Sequence, residues 1–142
     1  MPLKKELVII GGDLVGLELA EFLTERGKKI TVIEPSNDLG PNLSIVRRSR
    51  VIHLLKSHGV KIIKNAKDIK ISNSDVNFEL DGSPQSITAN QVIIAMGTEP
   101  NNEFAHELIE NNFNVSMIGD CTSVGYIEGA ISDARIAVKE II

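Results

Sequence analysis

At 142 residues, 42% of them hydrophobic and 24% charged, the chain has the make-up of one ordinary globular domain, long enough to bury a core. A net charge of −4 offers no attraction to nucleic acid or to an anionic membrane surface, and no apolar run approaches the ~20 residues that cross a bilayer. The single cysteine, Cys121, excludes an internal disulfide, a Cys-x-x-Cys redox pair and a multi-cysteine metal site, so a reducing, cytoplasmic setting is the simplest expectation.

Glu6–Ile10 (ELVII) is short and nearly unbroken in its apolar character, as a strand covered on both faces requires. Leu14–Arg26 changes to helical spacing, which predicts Val15, Leu19, Phe22 and Leu23 on the inward side and Gly27 as the residue that ends the helix. Lys29–Glu34 (KITVIE) reads as a second buried strand, and Pro35–Asn42 (PSNDLGPN) as a loop. Ser44–His58 is predicted helical with Ile45, Val51, Ile52 and Leu55 inward, stopped by Gly59, and Val60–Ile63 is a third short strand. This β-α-β-α-β order implies a parallel sheet with right-handed crossovers. From Lys67 to Thr88 apolar and polar residues alternate, with breaks at NSD and DGSP, which predicts a β-meander on one face or edge of that sheet. Gln91–Ala95 returns to the buried type, Glu103–Asn111 is a short helix, Val115–Ile118 a last buried strand and Ile127–Ile141 a closing helix. The expected fold class is α/β, a Rossmann-like three-layer domain with a central parallel sheet and an added β-meander. The expected strand order is Val60–Ile63, Lys29–Glu34, Glu6–Ile10, Gln91–Ala95. Val115–Ile118 should either add beside the last of these or stay exposed and promote association.

The chemistry concentrates in GGDLVG, Gly11, Gly12, Asp13, Leu14, Val15 and Gly16. A dinucleotide-binding turn needs one glycine for the tight strand-to-helix turn, a second for close approach to the pyrophosphate, and a third for helix–strand packing. Gly11 and Gly16 fill the first and third places, and Asp13 stands in the second. Glu34 ends the second strand 18 positions after Gly16, where an acid accepts hydrogen bonds from ribose hydroxyls and repels a 2′-phosphate, favouring NAD over NADP. The bland alternative is a plain βαβ unit with a glycine turn and a solvated glutamate. Asp13 is also in the position of a helix N-cap, a preferred place for aspartate. Its carboxylate would there take the same backbone N–H groups that cradle a phosphate, and its charge would repel one. Weak or displaced nucleotide binding and normal binding both stay open.

Four stretches in order, VIIGGDLVGLELAEFL, KITVIEP, VIIAMGTEPN and VSMIGDCTSVGYIEGAISDARIAVKEI, resemble the C-terminal part of the NAD(P)H- and FAD-dependent pyridine nucleotide oxidoreductases. Within them the chain is most similar to the enoate reductase, 2,4-dienoyl-CoA reductase and trimethylamine dehydrogenase branch. The resemblance implies an NAD(P)-binding Rossmann-like domain over residues 1–100. It further implies that residues 101–142 correspond to the end of an FAD-binding domain, packed on the same unit. Gly11, Gly12, Asp13, Leu14, Val15, Gly16 and Glu34 match the nucleotide-binding positions, and Glu18 matches a first-helix glutamate on the nicotinamide side, or is an exposed helix charge. Gly97 ends AMG, similar to the family's Ala-Thr-Gly crossing between domains, with Met96 in place of the threonine. Gly119 and Asp120 match the segment that meets the FAD ribityl chain, Asp120 otherwise being a cap or turn aspartate. No catalytic residue and no metal ligand is implied.

The family's first FAD segment, its flavin-reducing barrel and its iron–sulfur cysteines are not in this sequence. NAD(H) is therefore the implied cofactor, with FAD held only together with the upstream segment. The implied partner is the remaining part of a flavoprotein or a flavin-bearing subunit, and a homo-oligomer is also compatible. The alternative is a non-catalytic Rossmann-like scaffold or ADP-binding domain of a larger flavoprotein. The remaining candidates are bland: His53, His58 and His106 are expected at the surface or in caps, and Arg47, Arg48, Arg50 and Lys56 on a solvated face.

Overall fold

Residues 3–141 of the chain are described by a computed structural model. In chain order the elements are β1 (Glu6–Ile10), α1 (Leu14–Thr24), β2 (Lys29–Ile33), α2 (Ile45–Ser57), β3 (Lys61–Ile63), β4 (Lys67–Ile71), β5 (Asp75–Leu80), β6 (Ser83–Thr88), β7 (Val92–Ile94), α3 (Glu103–Glu110), a 3-10 turn (Gly119–Cys121) and α4 (Tyr126–Ile141). They form two units, divided between Gly97 and Thr98.

In the first unit β3, β2, β1 and β7 lie side by side in that order, all parallel. This is the predicted strand order. The period of two sends alternate residues of β1 and β2 to opposite faces. Leu7, Ile9, Ile30 and Val32 meet Leu17, Ala20 and Leu23 of α1 and Val51 and Leu55 of α2. Val8, Ile10, Ile33 and Ile63 meet Val76 and Phe78 of the antiparallel β4-β5-β6 sheet, which covers the other face. The layers are helices, parallel sheet and meander, each joint closed by fully buried branched side chains worth ~1.5–3 kcal/mol apiece.

Two helix faces differ from the predicted ones. On α1, Val15 and Phe22 are 58% and 50% exposed, and the buried stripe is Gly16, Leu17, Ala20 and Leu23. Gly16 sets this rotation, because it lies against the Gly11 carbonyl and only a glycine face can approach so closely. Phe22 instead lies under the Arg26 guanidinium, 3.5 Å from its ring centroid. On α2, capped by the Ser44 hydroxyl, which accepts from the Arg47 N–H, Ile45 is exposed. It lies on the flank shared with Ile52 and off the Val51–Leu55 stripe.

Arg47 joins the two helices through Glu21, and this contact holds the Glu21 carboxyl below its ordinary pKa, chiefly by the guanidinium hydrogen bond. The same pair raises the Arg47 pKa. A lowered carboxylate pKa contributes stability that is fully present above the unfolded value and lost as pH falls through the folded one. Glu21→Gln should therefore cost up to ~1 kcal/mol at neutral pH, and the difference should vanish below the lowered pKa, as read by denaturant titration at several pH values.

The second unit departs from expectation at Val115–Ile118. No strand forms there among the described residues, although Ile118 has extended backbone (φ −137°, ψ 151°) and is 45% exposed. Apolar composition prepares a strand, but pairing needs a neighbouring backbone edge, and the unit's regular elements are helical. No helix of the described residues is long and apolar enough to cross a membrane.

Candidate functional site

The site is built where β1 runs into α1. The Gly11 N–H donates to the Ile33 carbonyl at 2.8 Å and the Ala95 N–H donates to the Ile10 carbonyl at 2.7 Å, so the turn is fixed between the ends of three strands. Gly11 has φ +109°, and a Cβ there would collide with the Ala95 carbonyl. A Cβ on Gly16 would collide with the Gly11 carbonyl, and one on Gly12 would lie 2.6 Å from the Leu39 side chain. Gly11 and Gly16 thus have the tight-turn and close-packing roles that the sequence suggests, and at Gly12 a side chain would have to displace Leu39.

Asp13 occupies the N-cap position of α1 with extended backbone (φ −90°, ψ −165°), but its side chain makes no cap hydrogen bond. The expected competition between a capping carboxylate and a phosphate is therefore not built. Instead Asp13 Oδ2 accepts from Asn42 Nδ2 at 2.7 Å, and Asp13 Oδ1 is buried with no hydrogen-bond partner. The backbone N–H groups of Leu14, Val15 and Gly16, the first turn of α1, have no acceptor among the described residues. These are the orphan donors of a helix N-terminus, which carry its partial positive charge.

Glu34 follows β2 and reaches back to the turn. Its Oε2 accepts from the Gly12 N–H at 2.6 Å and its Oε1 from the Ser36 N–H at 2.8 Å. Each carboxylate oxygen keeps a lone pair for another donor. Gly11, Asp13, Glu34, Ser36, Asp38, Pro41 and Ala95 to Gly97 line a cleft of about 210 Å³. Met96 is half-exposed on its wall, and Gly97 has φ +97° with open space where a Cβ would be.

Other sequence candidates lie elsewhere. Glu18 is exposed on α1, 3.9 Å from Arg47 Nη2, and does not line the cleft. Arg47 is engaged by Glu21 and Arg48 by Asp38, which leaves the basic face of α2 partly neutralised. His53 and His106 are exposed, and His58 caps α2, its Nδ1 2.9 Å from the Leu54 carbonyl. No group of three or more His, Cys, Asp or Glu side chains suited to a metal is present among the described residues. In the second unit the Gly119 N–H donates to Asp133 Oδ2 and the Gly125 N–H donates to Asp120 Oδ1, both at 3.0 Å. Asp120 thereby closes the turn before α4. Cys121 is half-buried. Ser36, Asp38, Pro41 and Asn42, all in the β2–α2 loop, are the site residues that sequence reading misses, since loop composition alone does not say what a loop covers.

Comparison with known proteins agrees with this geometry. The chain is 31% identical over 130 residues to an NADH oxidase of Thermoanaerobacter brockii, covering 90% of this chain and 20% of that one. It is 29% identical over 145 residues to a dihydrolipoyl dehydrogenase of Acholeplasma laidlawii, covering 96% of this chain and 43% of the relative. Among solved structures, 2-naphthoyl-CoA reductase in complex with 2-naphthoyl-CoA superposes with a TM-score of 0.82 at 26% identity, over 94% of this chain and 20% of that one. The chain therefore spans less than half the length of each of these relatives. Residues 1–140 match the pyridine nucleotide-disulphide oxidoreductase family as a whole, and the chain belongs to that family.

Proposed function

We propose that this chain is the dinucleotide-binding part of a flavin-dependent oxidoreductase, taking NAD(H) at the Gly11–Gly16 turn. The observation that carries the reading is the first turn of α1. Its Leu14, Val15 and Gly16 N–H groups have no acceptor among the described residues, and Gly11 and Gly16 at the same turn leave no room for a side chain. Those donors suit a pyrophosphate. The remaining lone pairs of Glu34 suit ribose hydroxyls, and its charge disfavours a 2′-phosphate. The nicotinamide, when bound, supplies a hydride. Glu18, Gly97, Gly119 and Asp120 keep the roles the family resemblance implies: Glu18 toward the nicotinamide, Gly97 at the crossing, and Gly119 and Asp120 toward the flavin. FAD would be held only with a further segment that supplies the turn for its ADP half, and the partner is that remainder of the flavoprotein. The likeness to 2-naphthoyl-CoA reductase supports the enoate reductase and 2,4-dienoyl-CoA reductase branch.

A second reading, an ADP-binding or scaffold domain, is favoured by one feature. Asp13, Glu34 and Asp38 all line a cleft of about 210 Å³, smaller than the ~300–1,000 Å³ usual for ligand pockets. Calorimetric titration of the purified chain with NADH, NADPH and ADP separates the two. Binding of NADH at least ~10-fold tighter than NADPH, equivalent to ~1.4 kcal/mol, supports the first reading. Binding of ADP but not NADH supports the second, and heat from neither leaves only a scaffold.

Glu34→Ala should narrow the preference for NADH over NADPH. It should also destabilise the empty protein by ~1–3 kcal/mol, because the part-buried Gly12 N–H loses its acceptor. Glu34→Gln, which keeps an acceptor oxygen, should recover most of that stability while still relaxing the preference. The pair of variants separates charge from shape.

A further inference from the structure

The geometry points to Asn42 as a positioning residue for this site: it holds the Asp13 carboxylate off the α1 N–H groups, so that an anionic ligand can take them. The inference rests on the dinucleotide reading of the cleft.

An aspartate at an N-cap with extended backbone is set up to accept from the N–H groups of the second or third helical residue. Asp13 has that backbone and makes no such bond. Its two oxygens are unequally placed, Oδ2 on Asn42 Nδ2 at 2.7 Å and Oδ1 buried without a partner. An unpaired buried oxygen is unfavourable, and rotation onto the open helix amides would relieve it. The Asn42 amide is the group that opposes that rotation.

Asn42 is itself placed by its loop. The Gly40 N–H donates to the Gly12 carbonyl at 2.8 Å, Leu39 is buried against Gly12, and the Leu43 N–H donates to the Gly40 carbonyl at 3.0 Å. Gly40 is buried with φ +56°, a conformation suited to glycine. These anchors do not involve the Asn42 side chain, which is exposed. Removing that side chain therefore frees Asp13 while leaving the loop in place. The freed carboxylate can then cap α1, and cap and diphosphate compete for one set of donors.

The test is a four-protein cycle of the unmodified chain, Asn42→Ala, Asp13→Gly and the double variant. ADP affinity is measured by calorimetry, and capping of α1 without ligand by the hydrogen-exchange rates of the Val15 and Gly16 amides. Asn42→Ala should weaken ADP binding by about fivefold, the equivalent of the ~1 kcal/mol that a side-chain cap contributes. It should also slow hydrogen exchange of the Val15 and Gly16 amides in the empty protein, because the freed carboxylate caps them. Both effects should be absent when Asp13 is already glycine. Unchanged ADP affinity in Asn42→Ala would overturn the proposal, as would an equal loss in the Asp13→Gly background, which would mean that Asn42 acts through the loop. If the unmodified chain binds no ADP, the dinucleotide reading fails on its own and the exchange arm decides. Slower exchange that depends on Asp13 supports the Asn42 clip, and unchanged exchange refutes it.

Discussion

Alanine at Gly16 should destabilise the first unit by more than ~3 kcal/mol, a large part of the ~5–15 kcal/mol that holds a typical domain. The added methyl would collide with the Gly11 carbonyl, a backbone atom with no rotamer in which to retreat. Gly11 cannot shift either, since its N–H is bonded to Ile33 and a methyl's width away lies the Ala95 carbonyl. The strand ends would have to part, breaking the junction of β1, β2 and β7. Gly27→Ala is the control. That glycine also has a positive φ, +71°, but a Cβ there meets nothing within 4 Å. Its cost should be only the ~1 kcal/mol of a left-handed backbone. Urea titration of both variants checks the difference. Equal costs would mean that the turn tolerates a side chain.

Asp13→Gly should strengthen NADH binding by about fivefold. The charge argument at ~4 Å allows ~1 kcal/mol in water and ~4 at a surface dielectric. The hydrogen bond to Asn42 turns one oxygen away from the α1 donors, so the lower end of that range applies. The empty protein has no cap bond to lose. Its stability should fall by the ~0.5–1 kcal/mol of added chain entropy together with the loss of the exposed bond to Asn42, offset in part by removing the unpaired Oδ1. Parallel NADH titration and thermal melts of the two proteins measure both effects.

How much of this was legible in the sequence depends on how local the cause is. The strand order follows from unbroken apolar runs separated by helical spacing, and the glycine turn is visible because Gly11 and Gly16 flank a strand-to-helix junction. The face of α1 was not legible. Val15, Leu19, Phe22 and Leu23 have as good a helical spacing as Leu17, Ala20 and Leu23, and the choice between them is made by the backbone contact of Gly16. Asp13 shows the same limit more sharply. Local propensity assigns it to a cap, and a side chain 29 positions away takes it instead. Val115–Ile118 has the composition of a strand, but an edge to pair with is not a property of the segment. Glu34 was placed correctly at the end of β2, while its bonds to the Gly12 and Ser36 amides depend on how the turn and loop close around it.

Dinucleotide binding at the first turn of α1 is tested most directly by the backbone amide resonances of Leu14, Val15 and Gly16 during titration of the purified chain with ADP. Those three should shift together and saturate with one midpoint, accompanied by Gly12 and Ser36, whose N–H groups share the Glu34 carboxylate. Saturation that moves only residues of α2, or a titration that leaves the three amides where they were, would contradict a nucleotide site at the Gly11–Gly16 turn.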